Sequence, residues 1–263
     1  MPTVHTAYGE LYYAVSRSRA ERRLPSLLLL HGAGGSHLLW PGAVRRLPLT
    51  TVYALDLPGH GRSGGVAEPH VDHYAQAVAR FMAGIGIEQA IIVGHSMGGA
   101  VALRLAIDFP EQVAGLVLIS TGARLRVARA TFDALDTDLD TAVELFSRSA
   151  WGPAAKPEDI SAGKIALRDA GTQTLLADFT AADHFDVMVR LGAIQQPTLI
   201  MVGASDQLTP PKYARYLAAH IASSHLITVE GAGHMLMLER PAETAAGIRE
   251  FLQRIDADRP ASS

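Results

Sequence analysis

Six residues, Gly94-His95-Ser96-Met97-Gly98-Gly99, stand between an apolar run, Ala90 to Val93, and a stretch of helical periodicity that begins near Met97. A serine in that setting is a candidate nucleophile. Glycines at 94 and 98 remove side chains from a sharp strand-to-helix turn, so that the Ser96 hydroxyl projects from the strand's C-terminal end. The first turn of the following helix leaves backbone N–H groups without partners, that of Met97 among them. They lie where an attacked carbonyl oxygen would gain negative charge.

A serine hydroxyl needs a base, and the chain has eleven histidines to choose from. His234, in Gly231-Ala232-Gly233-His234-Met235, follows the apolar run His225 to Val229, in a glycine-rich loop from which a side chain can reach back over a sheet. The others are less well placed: His60 lies in a turn rich in proline and glycine, His70 and His73 have the spacing of a solvated helix start, and His184 falls in a helical stretch far from any strand end. An acid that holds the imidazole in one tautomer is expected after the preceding strand, in Val202-Gly203-Ala204-Ser205-Asp206-Gln207, and Asp206 fits. The loop Leu30-His31-Gly32-Ala33-Gly34-Gly35-Ser36 follows another apolar run. It offers a second oxyanion donor in the Ala33 N–H, with that of Gly34 as its substitute. A phosphate-binding loop is the rival reading of these glycines, but neither Gly-Lys-Ser/Thr nor G-x-G-x-x-G is present.

The elements that must position these groups alternate. Thr3 to Ala7 and Leu11 to Ser16 flank Tyr8-Gly9-Glu10 and read as a hairpin. Ser26 to Leu30, Val52 to Leu55, Ala90 to Val93 and Val113 to Ile119 are short and almost wholly apolar, the pattern of strands covered on both faces of a parallel sheet. Thr198 to Gly203 and His225 to Val229 continue the series. Helices are expected at His37 to Leu47, Asp72 to Ile85, Met97 to Phe109, Pro211 to His220 and Pro241 to Arg254. Between Gly122 and Ile194 the alternation stops for about seventy residues, far longer than an ordinary crossover, and amphipathic helical segments take its place. The reading is an α/β core domain of residues 1–121 and 195–263, with a helical cap of residues 122–194 inserted into it. The polar tail Asp256 to Ser263 is expected to fray.

The formal charge is −3 and the only dense basic stretch, Arg17 to Arg23, is interrupted by Glu21, which argues against a nucleic-acid partner. With 48% hydrophobic and 19% charged residues the chain is globular rather than disordered. There is no cysteine, which excludes disulfides, thiolate metal sites and a cysteine nucleophile. The run Asp133, Asp136, Asp138, Asp140 lacks the glycine and closing glutamate of a calcium loop and reads as a solvated acidic face, so neither a metal nor a cofactor is expected. No segment has the makings of a leader or a membrane span, and the expected location is the cytoplasm.

His31-Gly32, Asp56-Leu57-Pro58-Gly59-His60-Gly61-Arg62-Ser63, Gly94 to Gly99, Asp206 and Gly233-His234, taken together and in that order, resemble the α/β-hydrolase superfamily over nearly the whole chain outside the insertion. The resemblance implies an eight-stranded, mostly parallel sheet with strand 2 antiparallel, a lid after strand 6, a Ser96-His234-Asp206 triad and a structural role for the Asp56 to Ser63 turn. Serine at the elbow separates the chain from the dehalogenase and epoxide hydrolase branches, which place aspartate there. The expected activity is hydrolysis of small or medium acyl esters by a serine carboxylesterase, with a small-molecule ester or lactone as partner. Enol-lactone hydrolysis and C–C bond hydrolysis are the alternatives, although Met235 stands where C–C hydrolases usually carry tryptophan. A perhydrolase or acyltransferase, and a slow-turnover ligand receptor, are further readings of the same fold. Substrate contacts are expected from Gly34, Leu38, Trp151, Phe185, Met188 and Met235, with Leu145, Phe146, Phe179 and Val187 as further apolar candidates.

Overall fold

Runs of leucine, isoleucine and valine without polar alternation can only be strands if both faces are covered. A computed structural model describes residues 2–18, 24–48, 50–153 and 155–257 and shows that covering. The N-terminal hairpin is β1 (Thr3–Thr6) and β2 (Gly9–Ser16); β3 (Ser26–Leu30), α1 (Gly42–Arg45), β4 (Val52–Leu55), α2 (Val71–Gly84), β5 (Ala90–His95), α3 (Met97–Asp108) and β6 (Val113–Ile119) follow. Three helices come next, α4 (Arg129–Thr137), α5 (Leu139–Ala150) and α6 (Pro157–His184). The chain closes with β7 (Thr198–Gly203), α7 (Pro211–His220), β8 (Ser224–Val229), α8 (Leu236–Glu239) and α9 (Pro241–Ala257). Most of the basic stretch (Arg19, Arg22 and Arg23) and residues 258–263 of the tail lie outside the described residues.

All eight strands form one sheet in the order β1-β2-β4-β3-β5-β6-β7-β8. Strands β3 to β8 run parallel, while β2 pairs antiparallel with both β1 and β4. Alternate side chains divide between two cores. Leu28 and Leu30 join Tyr74, Phe81, Ile92 and Leu118 beneath α2 and α3, whereas Leu27 and Leu29 join Trp40, Val93, Val117 and Phe251 beneath α1 and α9. In a parallel sheet the C-terminal ends of the strands share one edge, so the loops after β3, β5, β7 and β8 converge there.

The helix expected at His37 to Leu47 is broken in two. Pro41 pushes Trp40 into extended geometry (φ −89°, ψ 117°), leaving a short 3₁₀ turn over His37–Leu39 before α1. The segment between β6 and β7 is helical as read, but its last residues turn back to the core: Arg124 bridges Asp186, and the Val187 N–H donates to the Ala123 carbonyl at 2.8 Å. Inside α6, Gly171 (φ 80°, ψ 163°) interrupts the helical path, a conformation open to glycine and costly to other residues. Among the described residues no helix is long and apolar enough to cross a membrane.

Candidate active site

Ser96 sits between β5 and α3 with φ 53° and ψ −119°, the strained geometry of a nucleophile elbow. The turn fits only because its neighbours are glycine. A Cβ on Gly98 would stand 2.3 Å from the Leu30 carbonyl oxygen and 2.5 Å from that of His31, backbone atoms that cannot yield. The Ser96 N–H donates to the Ile119 carbonyl and the Ser96 carbonyl accepts from Gly99, Ala100 and the Thr121 hydroxyl, so both backbone polar groups of Ser96 are held. The Met97 and Ala33 N–H groups, by contrast, have no hydrogen-bond partner among the described residues.

His234 lies in the loop between β8 and α8, buried to 2% exposure. Its Nδ1 stands 3.0 and 3.2 Å from the two oxygens of Asp206, which follows β7. Asp206 in turn accepts from the Leu208 and Thr209 N–H groups and from the Thr209 hydroxyl, at 2.8 to 2.9 Å. Burial alone would raise the Asp206 pKa, but the imidazole and the Thr209 donors outweigh it and hold the carboxyl below the ordinary aspartate range. His95 lies against the His234 ring, 4.9 Å between centroids, and its Nε2–H donates to the His234 carbonyl. Burial, then the neighbouring His234, press the His95 pKa down to about 3, so this ring stays neutral.

Ser96 and His234 line one small cavity of about 50 Å³, together with Ala33, Gly34, Leu39, Phe146, Ala150, Trp151, Leu167 and Met235. No hydrogen bond joins Ser96 to His234 among the described residues; such contacts tighten in the Michaelis complex. A larger cleft of about 630 Å³ adjoins it, sharing Gly34, Gly35, Leu39, Gly163 and Ala166.

The expected substrate contacts separate. Gly34, Trp151, Met235 and Phe146 are at the cavity. Leu38 is not: it is 69% exposed on the 3₁₀ turn and borders only the outer cleft, while Leu39 points inward in its place. Phe185 and Val187 are in the core beneath α2 and α3, and Met188 lines a separate cavity with Tyr213 and Tyr216, because residues 185 to 188 lie where the chain returns from α6 towards β7. Phe179 packs with Leu175 and Leu135 between α4 and α6. The Gly34 N–H is also spoken for, donating to Asp178 Oδ2 at 2.7 Å, which removes it as a substitute for Ala33. Of the acidic run, Asp133 pairs with Arg129, Asp140 with Arg168, and Asp138 caps α5 through the Thr141 N–H.

Sequence reasoning missed three groups that hold the site. Thr209 buttresses Asp206, with its hydroxyl 2.8 Å from Oδ2. Glu239 on α8 accepts from the Gly233 and Gly152 N–H groups, joining the His234 loop to the stretch that follows α5. Asp178 on α6 is a carboxylate in the apolar stretch Leu175 to Phe179, and that contrast was the one signal available.

Residues 27–247 match the model of the alpha/beta hydrolase family. The chain is 32% identical over 259 residues to a pimeloyl-[acyl-carrier protein] methyl ester esterase of Neisseria meningitidis, covering 91% of this chain and 99% of that one. Among solved structures it resembles a thermophilic esterase at 31% identity (TM-score 0.84, 97% of each chain). An enol-lactonase from Burkholderia xenovorans shares the fold at 20% identity (TM-score 0.87, 96% of this chain and 100% of that one). With the elbow, the buried His–Asp pair and the eight-stranded sheet already in place, these matches show that the chain belongs to the alpha/beta hydrolase family, as a hydrolase on its esterase-like side.

Proposed function

We propose that the protein is a serine carboxylesterase acting on small acyl esters through an acyl-enzyme formed on Ser96. The observation that carries this reading is the buried His234–Asp206 pair lining the same cavity as the elbow serine. Ser96 Oγ attacks the ester carbonyl and His234 Nε2 takes its proton; Asp206 stabilises the resulting imidazolium. The unpartnered Met97 and Ala33 N–H groups receive the oxyanion. His234 then protonates the departing alcohol, and water, activated by the same ring, releases the acid and restores Ser96. Residues 122–194 act as the cap that supplies Phe146, Trp151 and Leu167 to the pocket. The likeness to a methyl ester esterase supports an ester with a small alcohol as one substrate class.

The test is a burst assay on 4-nitrophenyl butyrate with wild type and Ser96→Ala. One equivalent of nitrophenol per chain is expected from wild type, with turnover reduced by ~10⁴-fold or more in the variant. Wild-type turnover in Ser96→Ala would remove the serine from the mechanism.

A further inference from the structure

Asp178 is fully buried, and a carboxylate without water persists only where donors surround it. Three do. The Gly34 N–H and His60 Nε2 lie 2.7 Å from Oδ2, and the Tyr74 hydroxyl donates to Oδ1 at 2.6 Å. These donors come from the loop after β3, the turn after β4 and helix α2, so one side chain of the insertion ties together three parts of the core.

The acceptors around His60 fix its charge. Its Nδ1 stands 2.9 Å from the Pro58 carbonyl, which can only accept, and its Nε2 faces the carboxylate, so both nitrogens carry hydrogen and the ring is an imidazolium. The neighbouring His31, 4.8 Å away, has the opposite assignment: Nδ1–H donates to the Gly32 carbonyl, and Nε2 accepts from the Leu57 N–H. Asp56 and, behind Tyr74, Glu68 are the remaining charged groups near this ring. Burial lowers the His60 pKa, but Asp178 overrides it and the net direction is upward.

Gly34 follows Ala33, whose N–H is the oxyanion donor assigned above. The loop is pinned at one end by the Gly35 N–H donating to the Gly32 carbonyl at 3.1 Å, and Gly34 itself holds φ +63°. An acceptor on the Gly34 N–H therefore sets the plane of the peptide next to the donor. A bare carboxylate this near a developing oxyanion would oppose it; the imidazolium of His60 cancels that charge. We propose that Asp178 is a positioning residue, reaching from the insertion to hold the Gly34 amide so that the Ala33 N–H is aimed at the reacting oxygen. This rests on the reading of Ser96 as nucleophile and Ala33 as oxyanion donor.

The experiment compares wild type, Asp178→Ala, Asp178→Asn and the double variant His60→Leu/Asp178→Leu. The readouts are kcat and KM on 4-nitrophenyl butyrate, the rate of Ser96 labelling by a fluorophosphonate, and thermal unfolding. The double variant removes both buried charges together and so keeps the fold testable. Loss of aim at one oxyanion donor should lower kcat by about ten- to hundredfold in Asp178→Ala and in the folded double variant, with KM within about twofold, since that contact strengthens only in the transition state. Phosphonylation should slow in step. Asp178→Asn, which keeps an acceptor oxygen for Gly34, should recover most of kcat. A double variant that unfolds like wild type and keeps kcat within about threefold would overturn the role of Asp178 while Ser96 still labels. Failure of wild type to label at Ser96 would instead overturn the nucleophile, and this inference with it.

Discussion

Two histidines whose rings are 4.8 Å apart carry different numbers of protons, and the cause is which atoms face them. His31 has a donor at Nε2, and burial followed by repulsion from His60 lowers its pKa to about 4. His95 is pressed further, to about 3. Above pH 6.5 both rings are neutral whether the chain is folded or not, and they add no pH dependence. Between about 6.5 and 4 the unfolded chain binds protons that the folded one refuses, so stability must fall as pH falls, by up to ~1.4 kcal/mol per pH unit for each ring. His60 acts on the other side: its pKa is raised, so its contribution is complete below pH 6.5 and is lost as pH rises through its folded value. Urea unfolding from pH 7.5 down to 4.5 should show midpoints that fall below pH 6.5. In His31→Gln, which can donate and accept at the same two points, the slope should be smaller by about one proton's worth. An unchanged slope would mean that His31 takes up its proton in the folded state.

At the level of elements, the site is assembled from loop ends that no single helix or strand could align. The His234 loop is held by α8, where Glu239 accepts from the Gly233 N–H at 3.0 and 3.1 Å and from the Gly152 N–H at 2.8 Å. Glu239→Ala strands two backbone donors and should cost about 1–3 kcal/mol in stability. It should lower kcat more than it raises KM, read by steady-state kinetics beside thermal unfolding; unchanged kcat would confine Glu239 to stability. The elements themselves were legible because their signals are local. Four leucines in a row at 27–30 and the glycines at 94 and 98 carry strand and elbow without reference to the rest of the chain. The pair His234 and Asp206 was legible through its place after two strands. What escaped depends on contacts distant in sequence: Asp178 meets Gly34 across 144 positions, and the return of residues 185–188 to the core is set by the pairing of Arg124 with Asp186. The helix read over His37 to Leu47 failed locally instead, at Pro41.

For the whole molecule, the space at Ser96, the proposed nucleophile, limits what can react there. A cavity of about 50 Å³ is well below the roughly 300–1,000 Å³ of a pocket that encloses a large ligand, and the neighbouring 630 Å³ cleft is reached past Gly34, Leu39 and Ala166. Rates on 4-nitrophenyl esters should therefore fall from butyrate to octanoate. Leu167→Ala removes bulk from the α6 wall of the cavity and should raise the octanoate-to-butyrate ratio of kcat/KM by about threefold or more, since each added methylene accommodated is worth a measurable fraction of binding. A ratio that does not move would place the acyl chain elsewhere.

The Ala150 carbonyl, at the end of α5, accepts from the N–H groups of both His234 and Met235, at 2.9 and 3.2 Å. The stretch that roofs the pocket and the loop that carries the imidazole thus share one backbone splice. A chimera that exchanged the helices of one relative for those of another would keep the proposed general base, His234, in register only if the graft carried the Ala150 to Gly152 junction with it. The wall formed by Ala166 and Leu167 can be changed residue by residue without touching that junction, whereas a transplant of the whole segment must rebuild it.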